Sequence, residues 1–226
     1  MSGKPPVSVP WGHKASIGLL GLLLALIACP VPTQSAGRRD PQTGRIRVLY
    51  VGEPVGSSPY PALESDPLIE PYPVQASAVV FSFSIAKRSI RQYMPRTYAD
   101  LSSFQVFILS DANAAVFSAN QLRWFTWSVK NNGSGLVMVG GNEAFGACCG
   151  HLSWGTTPVQ DVLPVECIPN EWTSGRVDVL RYDNPLVSSL PIKPGLEWMR
   201  RYDGNRVNIK TGAEELARFV PQVKAP

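Results

Sequence analysis

Three nearly continuous apolar runs, at residues 48–51, 104–109 and 136–139, with helix-like segments between them, predict an α/β fold. Runs that are apolar on every side belong to strands buried on both faces, so the sheet is expected to be mainly parallel with helices above and below it. That arrangement is the flavodoxin-like three-layer sandwich. Ligands of such sheets gather at the carboxyl ends of the strands. Three loops are therefore expected to border one cleft: Gly52-Glu53-Pro54, Ser110-Asp111-Ala112-Asn113 and the glycine-rich stretch from Gly140 to Gly146.

At 226 residues with 44% hydrophobic content, the chain holds one ordinary domain and a short extension. The first 28 residues read as a signal peptide or membrane anchor. Lys4, His13 and Lys14 precede an uncharged leucine-rich run at residues 15–28, long enough for a signal-peptide core but short of the roughly 20 residues that span a bilayer. The run ends Leu26-Ile27-Ala28-Cys29, which resembles the lipobox of bacterial lipoproteins and marks Cys29 for lipidation. An uncleaved single-pass anchor and ordinary cleavage after Ser35 are the alternatives. All three put the remainder outside the cytoplasm, in the periplasm or at the cell surface, with the membrane reached through the N-terminal segment. Residues 29–44, rich in Pro, Thr, Gln, Ser and Gly, read as a tether, and the domain is expected over residues 45–226. Removing Lys4 and Lys14 from the 21 basic residues leaves 19 against 17 acidic, a balance of +2, too small for a nucleic-acid partner.

Within the domain, Ile46-Arg47-Val48-Leu49-Tyr50-Val51 is the first strand, stopped by Gly52. Six prolines in residues 53–73 allow only short, broken helix. Residues 78–85 alternate apolar and polar as a half-buried strand does. Residues 104–109 form the next strand. Ser118 and Gln121 have the spacing of a capping box, with Phe117 and Leu122 placed as a hydrophobic staple. Leu122, Phe125 and Val129 give that helix its core stripe, and Asn131-Asn132-Gly133 ends it. Trp124 and Trp127 lie off the stripe; they fit either packing at the sheet edge or a partner-binding patch.

The chemistry concentrates after the strand at residues 136–139. A sharp strand-to-helix turn is where an α/β hydrolase raises its nucleophile, and glycines permit the bend. A bend at Gly140 puts Asn142 in that position, and a bend two residues later puts Ala144 there; neither side chain attacks carbonyl carbon.

Several segments are similar to the glutamine amidotransferase-like family, flavodoxin-like relatives of the class I glutamine amidotransferases. The resemblance runs over residues 45–219. It rests on Val48-Leu49-Tyr50-Val51-Gly52-Glu53, on Ser110-Asp111, on Gly140-Gly141 with Phe145-Gly146, and on Thr157-Pro158 through Leu163-Pro164-Val165-Glu166. Asn184-Pro185-Leu186 looks like the family's His-Pro turn with the histidine replaced. Gly204-Asn205-Arg206-Val207 with Lys210-Thr211-Gly212-Ala213-Glu214 looks like its late strand and turn. Relatives continue past that turn into another strand, so the resemblance implies a sheet incomplete at the C-terminus.

Glutamine hydrolysis requires a thiolate, an imidazole and an acid that orients it. Class I enzymes carry the cysteine at the turn and the His/Glu pair well downstream, whereas here His151 is the one histidine after the leader and lies just past the turn. Cys149 and His151 are the weak candidates for a displaced pair. A disulfide from Cys167 to Cys148 or Cys149 suits an oxidising compartment, and neighbouring cysteines lack the spacer of a zinc site. Glu53, Asp111, Gly140, Gly141, Asn142 and Glu143 are the candidate cleft residues, with capping or solvated roles expected for the carboxylates. The sequence therefore predicts a non-catalytic binding or assembly module for a protein or small-molecule ligand, with no metal or cofactor implied. The alternative is a hydrolase or amidotransferase working through the displaced Cys/His pair or the cleft carboxylates.

Overall fold

The apolar run of the first strand becomes β1 (Ile46–Gly52), whose last five residues are buried. The computed structural model describes residues 39–54, 58–78, 82–191 and 202–221, all within one compact unit of residues 36–226. The leader, Cys29 and most of the tether lie outside the described residues. Among the described residues no helix is long and apolar enough to cross a membrane.

After β1 come α1 (Tyr60–Ser65), β2 (Ile69–Gln75), α2 (Phe83–Tyr93), α3 (Tyr98–Ser102), β3 (Val106–Ser110), α4 (Ala119–Asn132) and β4 (Gly135–Val139). The four strands form a wholly parallel sheet in the order β2-β1-β3-β4. Alternate residues face opposite layers, as the strand period of two requires. Leu49, Val51, Phe107 and Leu109 pack with Ala86 and Ile90 of α2 and Leu122 and Phe125 of α4. Val48, Tyr50 and Ile108 pack on the other side with Tyr60 and Leu63 of α1. The result is the flavodoxin-like three-layer arrangement.

The best-signalled helix forms as expected. Ser118 Oγ accepts from Gln121 N, the Gln121 side chain accepts from Ser118 N, and Gly133 caps the other end with φ +68°. Trp124 is half-buried against the core. It also lines a groove of about 340 Å³ between the end of α2 and the start of α4, with Arg91 and Arg96. Trp127 is 46% exposed and meets Tyr98 edge-on at 6.0 Å.

Three expectations are corrected. The strand read at residues 78–85 does not hold for residues 83–85, which open helix α2; residues 79–81 lie outside the description. Ala86, Ile90 and Met94 recur every fourth residue and supply the buried face that decides for helix over the short Phe-Ser-Phe-Ser alternation. The second strand is instead Ile69–Gln75, despite Pro71 and Pro73. It lies at the sheet edge, where Pro71 and Pro73 turn the same way and remove no ladder bond. Finally, the strand expected to be missing after the turn at residues 210–214 is present as β7 (Ala217–Pro221). With β5 (Val165–Val179) and β6 (Tyr202–Ile209) it makes a separate antiparallel sheet in the order β6-β5-β7.

Candidate functional site

Because β1, β3 and β4 run parallel, their carboxyl ends finish at one edge, and the three loops expected to meet there do so. Gly52 packs so closely on Ser110 that a Cβ would overlap the Ser110 backbone. Asp111 N donates to Val139 O at 3.2 Å, tying the end of β3 to the end of β4. Glu53 is half-buried, and its carbonyl accepts the Tyr50 hydroxyl at 2.9 Å.

Past β4 the chain bends at the exposed Gly140 and at Gly141, where a Cβ would collide with the Asp111 carboxyl. Gly141 N is held by Asn205 Oδ1 of β6 at 3.2 Å, so the antiparallel sheet helps fix the turn. The Asn142 carbonyl accepts Cys148 N at 2.8 Å, closing the following loop on itself. Ala144 is buried at 1% exposure.

Glu143 is the unexpected residue. Expected as a capping or solvated carboxylate, it is wholly buried. Oε2 accepts Ala78 N at 2.6 Å and Oε1 accepts Asn113 Nδ2 at 2.7 Å, short bonds of the charge-assisted kind. Its backbone N donates to Asp111 Oδ1 at 2.7 Å, and its carbonyl accepts Trp154 Nε1 at 3.1 Å. The same indole N–H also reaches Ala112 O at 3.0 Å. One residue thus joins the loops after β2, β3 and β4.

His151 belongs to this network. Its Nδ1 lies 3.0 Å from Asn113 Nδ2 and 3.5 Å from Glu143 Oε1. Asn113 Oδ1 is already occupied by Ala115 N, so the amide NH₂ is the end that faces Glu143 and the imidazole. In the neutral ring Nδ1 then accepts and the proton sits on Nε2. Asn113 carried no sequence signal beyond standing in a strand-end loop. The Glu143/His151 approach was hidden because it requires the seven residues of irregular loop between them to fold back.

The imidazole's partners are Asn113 and Glu143, and each cysteine sulfur's is the other. Among the described residues the Cys148-Cys149 pair and His151 meet only through the main chain, His151 N donating to Cys148 O at 3.0 Å, while the two sulfurs are 2.7 Å from each other. Burial, then the neighbouring thiol and the charges of Asp111 and Glu143, push the Cys148 thiol up to about 11, so it is protonated at neutral pH. Cys167 is a free thiol packed against the core, pushed up to about 11 by burial, and the expected bridge from it to the pair is not formed. No group of three or more His, Cys, Asp or Glu among the described residues is arranged to hold a metal.

Backbone strain gathers at the same edge. Asp111, Phe145, Ala147 and Cys149 all have positive φ, between 44° and 59°. Two buried polar atoms on the bordering segments, Ser77 Oγ and Asn205 Nδ2, have no hydrogen-bond partner among the described residues.

Burial raises the Asp111 carboxyl above the ordinary carboxylate range, with the Glu143 and Glu53 charges acting in the same direction against the bond from Glu143 N and the attraction of His151. The native state therefore holds a proton that the unfolded chain has released, so stability falls as pH rises from the ordinary value through the raised one. Asp111→Asn keeps an acceptor for Glu143 N and suits the left-handed backbone. The variant is expected to flatten that fall and to melt higher than wild type above the window. Thermal melts across the acidic range check this; an unchanged slope contradicts it.

A family profile described as "Putative glutamine amidotransferase" matches residues 73–226. The chain belongs to this family. The match takes in the Gly140-Gly141 turn, the Glu143 network and the antiparallel sheet, while β1 precedes it. Among solved structures, the chain is similar to the cytoplasmic protein STM3548 from Salmonella typhimurium at 17% identity and a TM-score of 0.57, covering 76% of this chain and 78% of that one. At that identity the likeness concerns the fold alone. No curated protein matches the chain. In this glutamine amidotransferase-like domain, Asn184 caps the short helix α5 (Pro185–Ser188) by accepting Leu186 N at 2.9 Å.

Proposed function

We propose that this glutamine amidotransferase-like domain is a non-catalytic binding module, held at the membrane outside the cytoplasm, that takes a ligand or partner segment at the carboxyl edge of its parallel sheet. The observation that carries the reading is the turn after β4. The positions open to a nucleophile hold Asn142 and a buried Ala144, and the adjacent Glu143 is committed to Ala78 N and Asn113 Nδ2. Ser77 Oγ and Asn205 Nδ2 support a ligand role, since a buried polar atom left unpaired costs about 1–3 kcal/mol that a hydrogen-bonding ligand recovers.

The test is glutamine turnover by the purified full chain. Ammonia release equal to a buffer control is expected, and turnover abolished by Cys149→Ser overturns the reading. A second reading, hydrolysis through a displaced pair, is favoured by one observation: His151 stands beside a buried carboxylate with the exposed Cys149 two residues away. Turnover lost on His151→Ala as well as Cys149→Ser is its signature.

The tethering rests on the leader and on Leu26-Ile27-Ala28-Cys29. Cys29→Ser is expected to move the protein from the membrane fraction to a soluble exported form, or to leave the precursor uncleaved. Unchanged retention at unchanged size points to a single-pass anchor, and a wild-type chain found in the cytoplasm contradicts the placement.

A further inference from the structure

Cys148 and Cys149 are consecutive, and their sulfurs stand 2.7 Å apart on the loop that joins the Gly140-Gly141 turn to His151. The two thiols differ in access: Cys149 is exposed and Cys148 half-buried. Cys167, the other candidate for a bridge, sits on β5 with its N–H held by Gln160 Oε1 and its side chain against the core. Two main-chain bonds bracket the pair, Cys148 N to Asn142 O at 2.8 Å and His151 N to Cys148 O at 3.0 Å. Ala147, Cys149 and Gly150 have φ of +55°, +59° and +83°, so the loop's path depends on left-handed backbone at Cys149 and on either side of the pair.

We propose that Cys148 and Cys149 are a redox modification site: a vicinal dithiol that closes into a cyclic disulfide across one peptide bond by exchange with a small disulfide, resetting the loop that presents His151. The exposed Cys149 thiolate attacks one sulfur of the oxidant, forming a mixed disulfide and releasing one thiolate. Cys148 then attacks the Cys149 sulfur, releasing the second thiolate and closing the ring. Both cysteine protons end on the two released thiols, and the oxidant is reduced by the two electrons the pair loses. Cys148 gives up its proton to the released thiolate as it attacks, and the 2.7 Å separation makes that step intramolecular.

Consecutive Cα atoms are about 3.8 Å apart, closer than the roughly 4.4–6.8 Å of ordinary disulfides, so the ring is strained and readily reduced. That places it with the labile, regulatory disulfides and not the structural ones. Closure twists the Cys148 carbonyl that accepts His151 N and thereby loosens the imidazole from Asn113 and Glu143. The inference does not depend on the absence of turnover or on the location of the chain, because the exchange is run in vitro.

The test uses the full chain in detergent, reduced, desalted, exposed to oxidised glutathione, quenched in acid and alkylated. Chymotryptic cleavage after Phe145 and Trp154 gives a peptide with both cysteines and without Cys167. Expected is loss of two hydrogens and no alkyl group on that peptide, full alkylation of Cys167, and reversal by reduced glutathione. Hydrogen exchange at the His151 amide is expected to quicken several-fold in the oxidised form, and not at all in Cys149→Ser treated the same way. A bridge to Cys167, alkylation of both adjacent thiols, or a glutathione adduct that never resolves overturns the proposal. So does ring closure that leaves His151 exchange unchanged.

Discussion

Replacing Glu143 by alanine is expected to destabilise the domain by about 3–5 kcal/mol, because two short charge-assisted bonds are lost and their donors stay buried. Asn113 is buried and Ala78 half-buried, so neither donor is freely hydrated when Glu143 is removed. For a domain of this size that corresponds to a melting temperature about 10 °C lower. Glu143→Gln separates charge from shape. It retains one carbonyl acceptor but sets an NH₂ against either Ala78 N or Asn113 Nδ2, so it is expected to fall between wild type and alanine. Calorimetry on the three proteins checks the order. Equal melting of wild type and alanine contradicts the assignment of Glu143 as the residue that joins the loops.

Trp154→Ala is expected to cost a similar amount, about 3–5 kcal/mol, for a different reason. The indole is wholly buried, stacks obliquely on Phe117 at 5.7 Å and donates to the carbonyls of Ala112 and Glu143. Alanine removes both the volume and the bridge. Trp154→Phe keeps most of the volume and deletes only the shared N–H, so it is expected to cost about 1–2 kcal/mol. Denaturant unfolding of the two variants distinguishes packing from bridging; equal losses show that the hydrogen bonds dominate.

Much of the fold was legible where local signals and burial agree. The capping box at Ser118, the stop at Gly133 and the apolar runs of β1, β3 and β4 are each fixed by a few neighbouring residues and form strands or helix there, although β4, at the sheet edge, is only partly buried, with Val137 46% exposed. The failures have physical causes. β2 contains two prolines, which a local reading counts against a strand, yet its place at the sheet edge makes them harmless. The start of α2 alternates in type for four residues, too short a window to outweigh the fourfold spacing of Ala86, Ile90 and Met94. The antiparallel sheet pairs residues 27 to 46 positions apart, which no local pattern reports.

The site was legible in outline only. Parallel topology brings Glu53, Asp111 and the glycine turn to one edge, and topology was readable from the apolar runs. The partners of Glu143 were not, because Asn113, Ala78 and His151 reach it through irregular backbone with positive φ. Nor was the state of the cysteines, since pairing depends on where β5 carries Cys167.

The central claim is that the turn after β4 presents no competent nucleophile, and an electrophilic analogue of glutamine tests it without requiring turnover. The full chain is incubated with a γ-electrophilic glutamine mimic under reducing conditions, and labelling at Cys148, Cys149 and Cys167 is followed by peptide mass. Labelling of the exposed Cys149 is expected to be no faster than that of a free thiol, insensitive to added glutamine and unchanged by His151→Ala. Rapid stoichiometric labelling of Cys149 that glutamine protects and His151→Ala abolishes would contradict the claim.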